Sequence, residues 1–182
     1  MEDAGADGLL VVTPYYNRCT ESGLISHYEK IADSVSIPII MYSVSSRTGV
    51  NITPSAVAVL SQHPNIAGIK EASGNISQIC HIASYIDEGF DLYSGNDDQT
   101  VPLMSLGGIG CISTVSNIIP ARFSEMTRNF LNGKYIEAGR EQVAIKPLID
   151  SLFLEVNPAP VKAALSMMRM CSMEYRLSLI HI

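Results

Sequence analysis

Asn65-Ile66-Ala67-Gly68-Ile69-Lys70-Glu71-Ala72-Ser73-Gly74 is the stretch on which the reading of this chain turns. The apolar run from Ile66 to Ile69 reads as a buried strand that delivers one amine, Lys70, to the edge of an apolar layer. A lysine there is costly unless its amine is neutral, paired or used. At the ordinary pKa of ~10.4, only about 4 amines in 10,000 are neutral at pH 7. Burial that lowers the pKa by ~3 units leaves roughly half of them as free nucleophiles. Spacing alone is equally compatible with a lysine that snorkels from a strand end to water.

Working outward, the pattern repeats. Strands are expected at Gly8–Thr13, Ile37–Tyr42, Ile66–Lys70, Phe90–Ser94 and Gly110–Val115, each followed by a helical stretch. Pro14 ends the first strand, since proline cannot donate to an interior ladder. Helices are expected over Gly23–Val35, from Pro54 with Thr53 as N-cap, over Ile76–Tyr85 with Ile79, Ile82, Ala83 and Ile86 on one face, and over Thr100–Leu106. Further helices follow from Pro120 to about Leu131, from Tyr135 to Phe153, and from Pro160 to near Met170. Apolar strands alternating with amphipathic helices imply a parallel sheet. The chemically singular residues fall after strands: Tyr15 and Tyr16, Tyr42 to Arg47, Lys70, Gly95 to Asp98, and Ser113 to Asn117. Both a (β/α) barrel and an open doubly wound sheet build their sites at that end. Five strands do not close an eight-stranded barrel, and Glu2 to Gly8 reads as a helix already ending. The expectation is a piece of a barrel with three strand–helix units before it and two strand edges left unpaired.

Composition excludes several classes of function. Of 182 residues 47% are hydrophobic and 16% charged, which fits a well-buried globular chain and not a disordered one. A formal charge of −6 gives no basic footprint for nucleic acid. No apolar run reaches the ~18 residues a membrane span needs, and no signal segment is visible. Cys19, Cys80, Cys111 and Cys171 form no C-x-x-C pair and read as reduced thiols of a cytoplasmic protein. The four histidines never approach metal-ligand spacing. Gly107-Gly108-Ile109-Gly110 has the look of a phosphate loop, but it precedes a strand instead of opening a helix. Of Asp97 and Asp98, one is expected to cap the helix that follows.

Four groups make chemical sense together. Lys70 is the candidate nucleophile, since a neutral amine attacks a keto carbon to form a Schiff base. Tyr42 ends the preceding strand and so lies beside Lys70, where a phenol can pass protons to the carbinolamine. Tyr16 sits past the strand before that and extends such a relay. Arg47 offers a planar fork suited to a carboxylate. Singly each has a plain alternative: a core tyrosine, a surface aromatic, a solvated loop charge.

Five ordered motifs then make a family visible: Val12-Thr13-Pro14-Tyr15-Tyr16-Asn17, Tyr42-Ser43-Val44-Ser45-Ser46-Arg47-Thr48-Gly49, Gly68-Ile69-Lys70-Glu71-Ala72-Ser73-Gly74, Ser94-Gly95-Asn96-Asp97-Asp98 and Asn157-Pro158-Ala159-Pro160-Val161-Lys162. From about Ala4 to Leu177 the chain resembles the dihydrodipicolinate synthases, pyruvate-dependent class I aldolases of the N-acetylneuraminate lyase superfamily. The resemblance implies a TIM barrel portion over residues 1–134 followed by a C-terminal helical region over 135–182. It implies Lys70 as the Schiff-base lysine, Tyr42 as its proton-transfer partner, and Tyr16 as the tyrosine that crosses into a neighbouring subunit's site. It also implies Arg47 as the holder of the aldehyde's carboxylate, with Gly95 and Ile112 around bound pyruvate. The implied activity is condensation of pyruvate with aspartate semialdehyde on the way to diaminopimelate and lysine. That activity needs no metal or organic cofactor, and the implied assembly is a homo-oligomeric dimer of dimers.

The departures are specific. Ser43 and Ser45 stand where the family commonly has Asn and Pro, and the threonines that complete the family's proton relay have no counterpart here. Arg176-Leu177-Ser178-Leu179 stands where members commonly read Arg-Leu-Pro-Leu, and the last five or so residues are expected to leave the family's pattern. Two rivals remain: another aldolase of the superfamily (a sialate lyase or keto-deoxy-sugar aldolase), which usually lacks an arginine in this context, and a non-catalytic barrel remnant.

Overall fold

The computed structural model describes residues 1–85 and 89–176. Ile86 and the run from 177 onward, both drawn on above, lie outside the described residues. The chain divides into two compact units, Met1–Ile112 and Ser113–Ile182.

The first unit is a parallel sheet whose strands lie side by side in chain order: β1 (Leu9–Val12), β2 (Ile39–Ser43), β3 (Ile66–Glu71), β4 (Asp91–Ser94) and β5 (Gly110–Cys111). β1 and β5 are its two edges. Helices α1 (Glu21–Ala32), α2 (Ser45–Thr48), α3 (Pro54–Leu60), α4 (Ile76–Ala83) and α5 (Thr100–Met104) connect them. Three of these start on side-chain caps: Thr20 accepts from Gly23 N–H, Thr53 from Ala56 N–H, and Asn75 from Gln78 N–H, each at 3.2 Å. Thr53 and Pro54 fill the cap and first-turn positions expected of them. Thr20 starts α1 two residues earlier than the apolar spacing indicates.

One core joins the helices to one face of the sheet. Ile39, Met41, Ile69 and Leu92 meet Leu24, Tyr28, Leu60, Ile79, Ile82 and Leu103 there, all essentially without solvent contact. Each such side chain contributes roughly 1.5–3 kcal/mol relative to exposure. The stability of the unit therefore rests on this face, and the opposite face is free to carry polar groups. Tyr28 Oη donates to the Val11 carbonyl at 2.9 Å, which ties α1 to β1. Burial drives this phenol's pKa well above its ordinary value.

β3 holds an irregularity that spacing does not reveal. Ile39 pairs with Ile66 but Ile40 pairs with Gly68, so Ala67 is an extra residue in the ladder. Strict alternation puts Ile66 and Ile69 on opposite faces. The extra residue resets the phase, both isoleucines enter the helix-side core, and Lys70 turns to the opposite face.

Three expectations need correction. The fifth strand is two residues long, not six. Ile112 N–H still bonds Ser94 O at 3.0 Å, but beyond it Ser113 Oγ accepts from Ser116 N–H and the chain curls into a 3-10 turn over Val115–Asn117. The stretch from Tyr135 to Phe153 is two helices, α7 (Tyr135–Ala144) and α8 (Lys146–Leu152), because Pro147 has no N–H to donate and its ring crowds the carbonyl four residues back. Asp97 and Asp98 lie inside a 3-10 turn, Asp97–Gln99, and Gln99 takes the N-cap position of α5.

The second unit also holds α6 (Pro120–Leu131) and α9 (Ala159–Met167). Phe123, Met126, Ala138, Ile145, Ile149, Leu152 and Val161 are buried in it, and Arg122 pairs with Glu141 at 2.8 Å.

Candidate active site

The site forms where β2, β3, β4 and β5 end. Tyr42 and Lys70 are register partners on adjacent parallel strands, so their side chains leave the sheet on the same face. Lys70 Nζ stands 4.3 Å from the centroid of the Tyr42 ring. Both are half-buried. Desolvation pulls the amine's pKa below its ordinary value, with the Arg47 charge acting in the same direction; Cys111 and Asp97 oppose it. Desolvation pushes the Tyr42 phenol up, and Arg47 draws it back. The pair is therefore an amine biased towards its neutral, nucleophilic form beside a phenol biased towards its protonated, proton-donating form.

Gly95 makes room for the lysine. A Cβ there would sit 2.6 Å from Ala72 Cβ, 3.1 Å from Glu71 O and 3.2 Å from Lys70 Cε. Gly95 N–H bonds Glu71 O at 2.7 Å, so β4 closes tightly on the lysine's own strand. Ile112 follows β5, half-buried, and its N–H is held by Ser94 O. Cys111, pushed up to about 12 by burial, stays a thiol beside Lys70 and donates to Asp97 Oδ1 at 3.8 Å.

Arg47 belongs to no loop: it lies in α2, a single helical turn closed by Gly49 at φ 72°, whose N–H bonds Ser45 O at 2.9 Å. Thr48 anchors that turn. Its hydroxyl accepts from Thr13 Oγ1 at 2.9 Å and from Val50 N–H at 3.2 Å, both buried. The Arg47 side chain is exposed, and its charge reaches both Tyr42 and Lys70. Tyr16 stands apart. It is 89% exposed and held at φ 69°.

Sequence reasoning gave no functional role to Glu71, Gln78, Asn51 and Ser43, which form a part-buried polar chain behind the pair. The available signal was Asn75-x-x-Gln78, a capping-box spacing whose glutamine turns away from the cap. Among the described residues no cluster of His, Cys, Asp and Glu could hold a metal ion. Two other lysines are engaged elsewhere: Lys146 pairs with Asp150 at 2.5 Å and Lys162 lies 5.8 Å from the Tyr175 ring.

Comparison with known proteins matches this arrangement to one group. The family model described as the dihydrodipicolinate synthetase family matches residues 1–181. A 4-hydroxy-tetrahydrodipicolinate synthase of Alkaliphilus oremlandii is 51% identical over 178 residues, covering 98% of this chain and 61% of that one. One from Caldicellulosiruptor saccharolyticus is 54% identical over 167 residues, covering 92% of this chain and 56% of that one. Among solved structures, dihydrodipicolinate synthase from Thermotoga maritima superposes with a TM-score of 0.96 at 41% identity, covering 98% of this chain and 62% of that one. The Aquifex aeolicus enzyme gives 0.96 at 40% identity, covering 100% and 62%. The chain thus spans 56 to 61% of the length of these curated relatives. Its sheet is the corresponding part of a (β/α)8 barrel, followed by C-terminal helices.

Proposed function

The chain belongs to the dihydrodipicolinate synthetase family, and on that premise we propose that it supplies the imine-forming site of a lyase condensing pyruvate with aspartate semialdehyde. The observation that carries this reading is the Lys70 amine, desolvated and 4.3 Å from the centre of the Tyr42 ring. The neutral amine attacks the keto carbon of pyruvate, and the carbonyl oxygen takes a proton to give the carbinolamine. Tyr42 donates the proton with which water leaves, forming the protonated imine. That imine is the electron sink: the Tyr42 phenolate takes a C3 proton to yield the enamine, whose C3 bonds to the aldehyde carbon as the C=O π bond opens and its oxygen takes a proton back from Tyr42. Arg47 holds the semialdehyde's carboxylate. The semialdehyde's amine then attacks the imine carbon, closes the ring and releases Lys70.

Gly95 and Ile112 flank the pyruvate on this reading. Tyr16, exposed and unused within its own chain, serves the site of a second subunit in a homo-oligomer, a dimer of dimers. On this reading residues 1–134 are the barrel portion, and the described residues from 135 to 176 belong to the C-terminal helical region. Among the described residues no helix is long and apolar enough to cross a membrane. The proposed setting is cytoplasmic, where free thiols such as Cys19, Cys80, Cys111 and Cys171 stay reduced.

Pyruvate with borohydride tests the assignment. The 182-residue chain is treated alone and as a chimera completed by the part of the Alkaliphilus oremlandii relative that the alignment leaves uncovered. Peptide mass mapping is expected to find the reduced adduct on Lys70. An adduct on Lys146 or Lys162, or none in either protein, refutes it.

A further inference from the structure

Glu71 is the group the chemistry leaves unused. It is 1% exposed, adjacent in sequence to Lys70, and on the opposite face of β3. No ion pair reaches it among the described residues. Ser73 N–H donates to its two oxygens at 3.2 and 3.1 Å, and Gln78 Nε2 donates to Oε1 at 2.9 Å. A carboxylate only accepts, so the Gln78 amide must turn its nitrogen to Glu71. Its oxygen then takes Asn51 Nδ2–H at 2.7 Å, while Gln78 Nε2 also donates to Asn51 Oδ1 at 3.2 Å. Asn51 Oδ1 accepts in turn from Ser43 Oγ at 3.3 Å, and Ser43 Oγ takes Ile52 N–H at 3.2 Å. Ser73 N–H and one N–H of Gln78 point at the Glu71 carboxyl, and Asn51 and Ser43 join on through Gln78; burial raises the Glu71 pKa and the Ser73 and Gln78 donors oppose the rise.

The two ends of the chain are themselves partners. Ser43 and Glu71 are paired one register step beyond Tyr42 and Lys70. The β2–β3 ladder slips at Ile39/Ile40 and then runs in regular register to Ser43/Glu71, with Ala72 N–H on Ser43 O at 2.9 Å, so the side-chain links reinforce a backbone pairing at the same ends. We infer that Glu71 is a positioning residue, which acts through Gln78, Asn51 and Ser43 to pin the ends of β2 and β3 so that Lys70 stays packed on the Tyr42 ring. The inference rests on reading Lys70 as the imine-forming amine, but its test does not depend on the substrate.

Lys70 in the 182-residue chain is labelled with trace acetic anhydride across pH, with exposed Lys134 as internal standard, and read by peptide mass mapping. In the unaltered chain Lys70 gains reactivity below the ordinary lysine range. Glu71→Gln presents an N–H to the donors that converge there. Lys70 then moves into water, and its normalised reactivity at pH 8 falls by about threefold or more, the equivalent of about half a pKa unit. Gln78→Glu placed on that background returns an anion to the chain and restores at least half of the loss. Asn51→Ala, at a part-buried site, breaks the middle link and moves Lys70 the same way; it decides the matter if Glu71→Gln does not fold. Leu24→Ala, which weakens the core away from this chain, leaves Lys70 unchanged. Smaller shifts in both network variants overturn the inference, as does an equal shift in Leu24→Ala. Lys70 that behaves as expected here but never traps pyruvate counts against the proposed reaction and leaves the positioning role standing.

Discussion

Gly95→Ala separates the stability of the site from its chemistry. The added Cβ lands 2.6 Å from Ala72 Cβ, well inside van der Waals contact, and 3.2 Å from Lys70 Cε. Overpacking of this kind costs about 1–3 kcal/mol, and the Gly95 N–H to Glu71 O bond at 2.7 Å leaves β4 little freedom to retreat. Adding Ala72→Gly removes the shorter clash at a cost of roughly 0.5–1 kcal/mol in chain entropy. The double variant is therefore expected to regain about half of the lost stability in urea unfolding. The contact with Lys70 Cε survives in both proteins, so the amine stays displaced from the Tyr42 ring. Borohydride trapping of pyruvate in the completed chimera is expected to remain slowed by about tenfold or more, since small misplacements of reacting atoms cost up to about a hundredfold. Gly95→Ala with unchanged unfolding and unchanged trapping would refute this geometry. Trapping restored together with stability in the double variant would show that Gly95 serves packing alone.

Other variants probe the remaining groups, with activities read in the same chimera. Tyr42→Phe is expected to slow imine formation by about a hundredfold or more while leaving the fold intact, as removal of a general acid does; rapid trapping would remove Tyr42 from the relay. Arg47→Ala is expected to leave pyruvate trapping nearly unchanged and to lower kcat/KM for the aldehyde by roughly 10- to 150-fold, the worth of a charged hydrogen bond. Loss of both half-reactions would assign Arg47 to the pyruvate or the fold. The Lys70 pKa is lowered in the folded state, so between that value and the ordinary one the unfolded chain binds the extra proton and stability rises with pH. Lys70→Met is expected to abolish that rise and to unfold at higher urea than the parent at pH 7; a retained pH slope assigns it to another group. Ser45 occupies the first position of α2, where proline is well accommodated, so Ser45→Pro is expected to raise stability by about 0.5–1 kcal/mol.

The order of strands and helices was legible in the sequence because each strand is an apolar run and the helices at Thr53 and Pro120 carry their own start signals. Lys70, Tyr42 and Arg47 were legible as types at strand ends, and parallel pairing of successive strands made Tyr42 the neighbour of Lys70. Pattern alone favoured a barrel over an open sheet only slightly, since both put their sites at that end. The short fifth strand, the helical turn holding Arg47 and the break at Pro147 follow from local hydrogen bonds and one missing N–H. Apolar periodicity does not encode these.

What only the tertiary structure decided is where the amine points and what steadies it. Counted by twos from Ile66, Lys70 shares a face with the core; the extra residue Ala67 turns it away. That insertion depends on how β2 and β3 pair, a contact between residues nearly thirty positions apart in the chain. Likewise Glu71, Gln78, Asn51 and Ser43 are ordinary polar residues in sequence, and only folding converts them into one part-buried chain that ends on a buried carboxyl. A buried carboxylate is tolerable only when several donors converge on it, and convergence is a property of three dimensions, not of spacing along the chain.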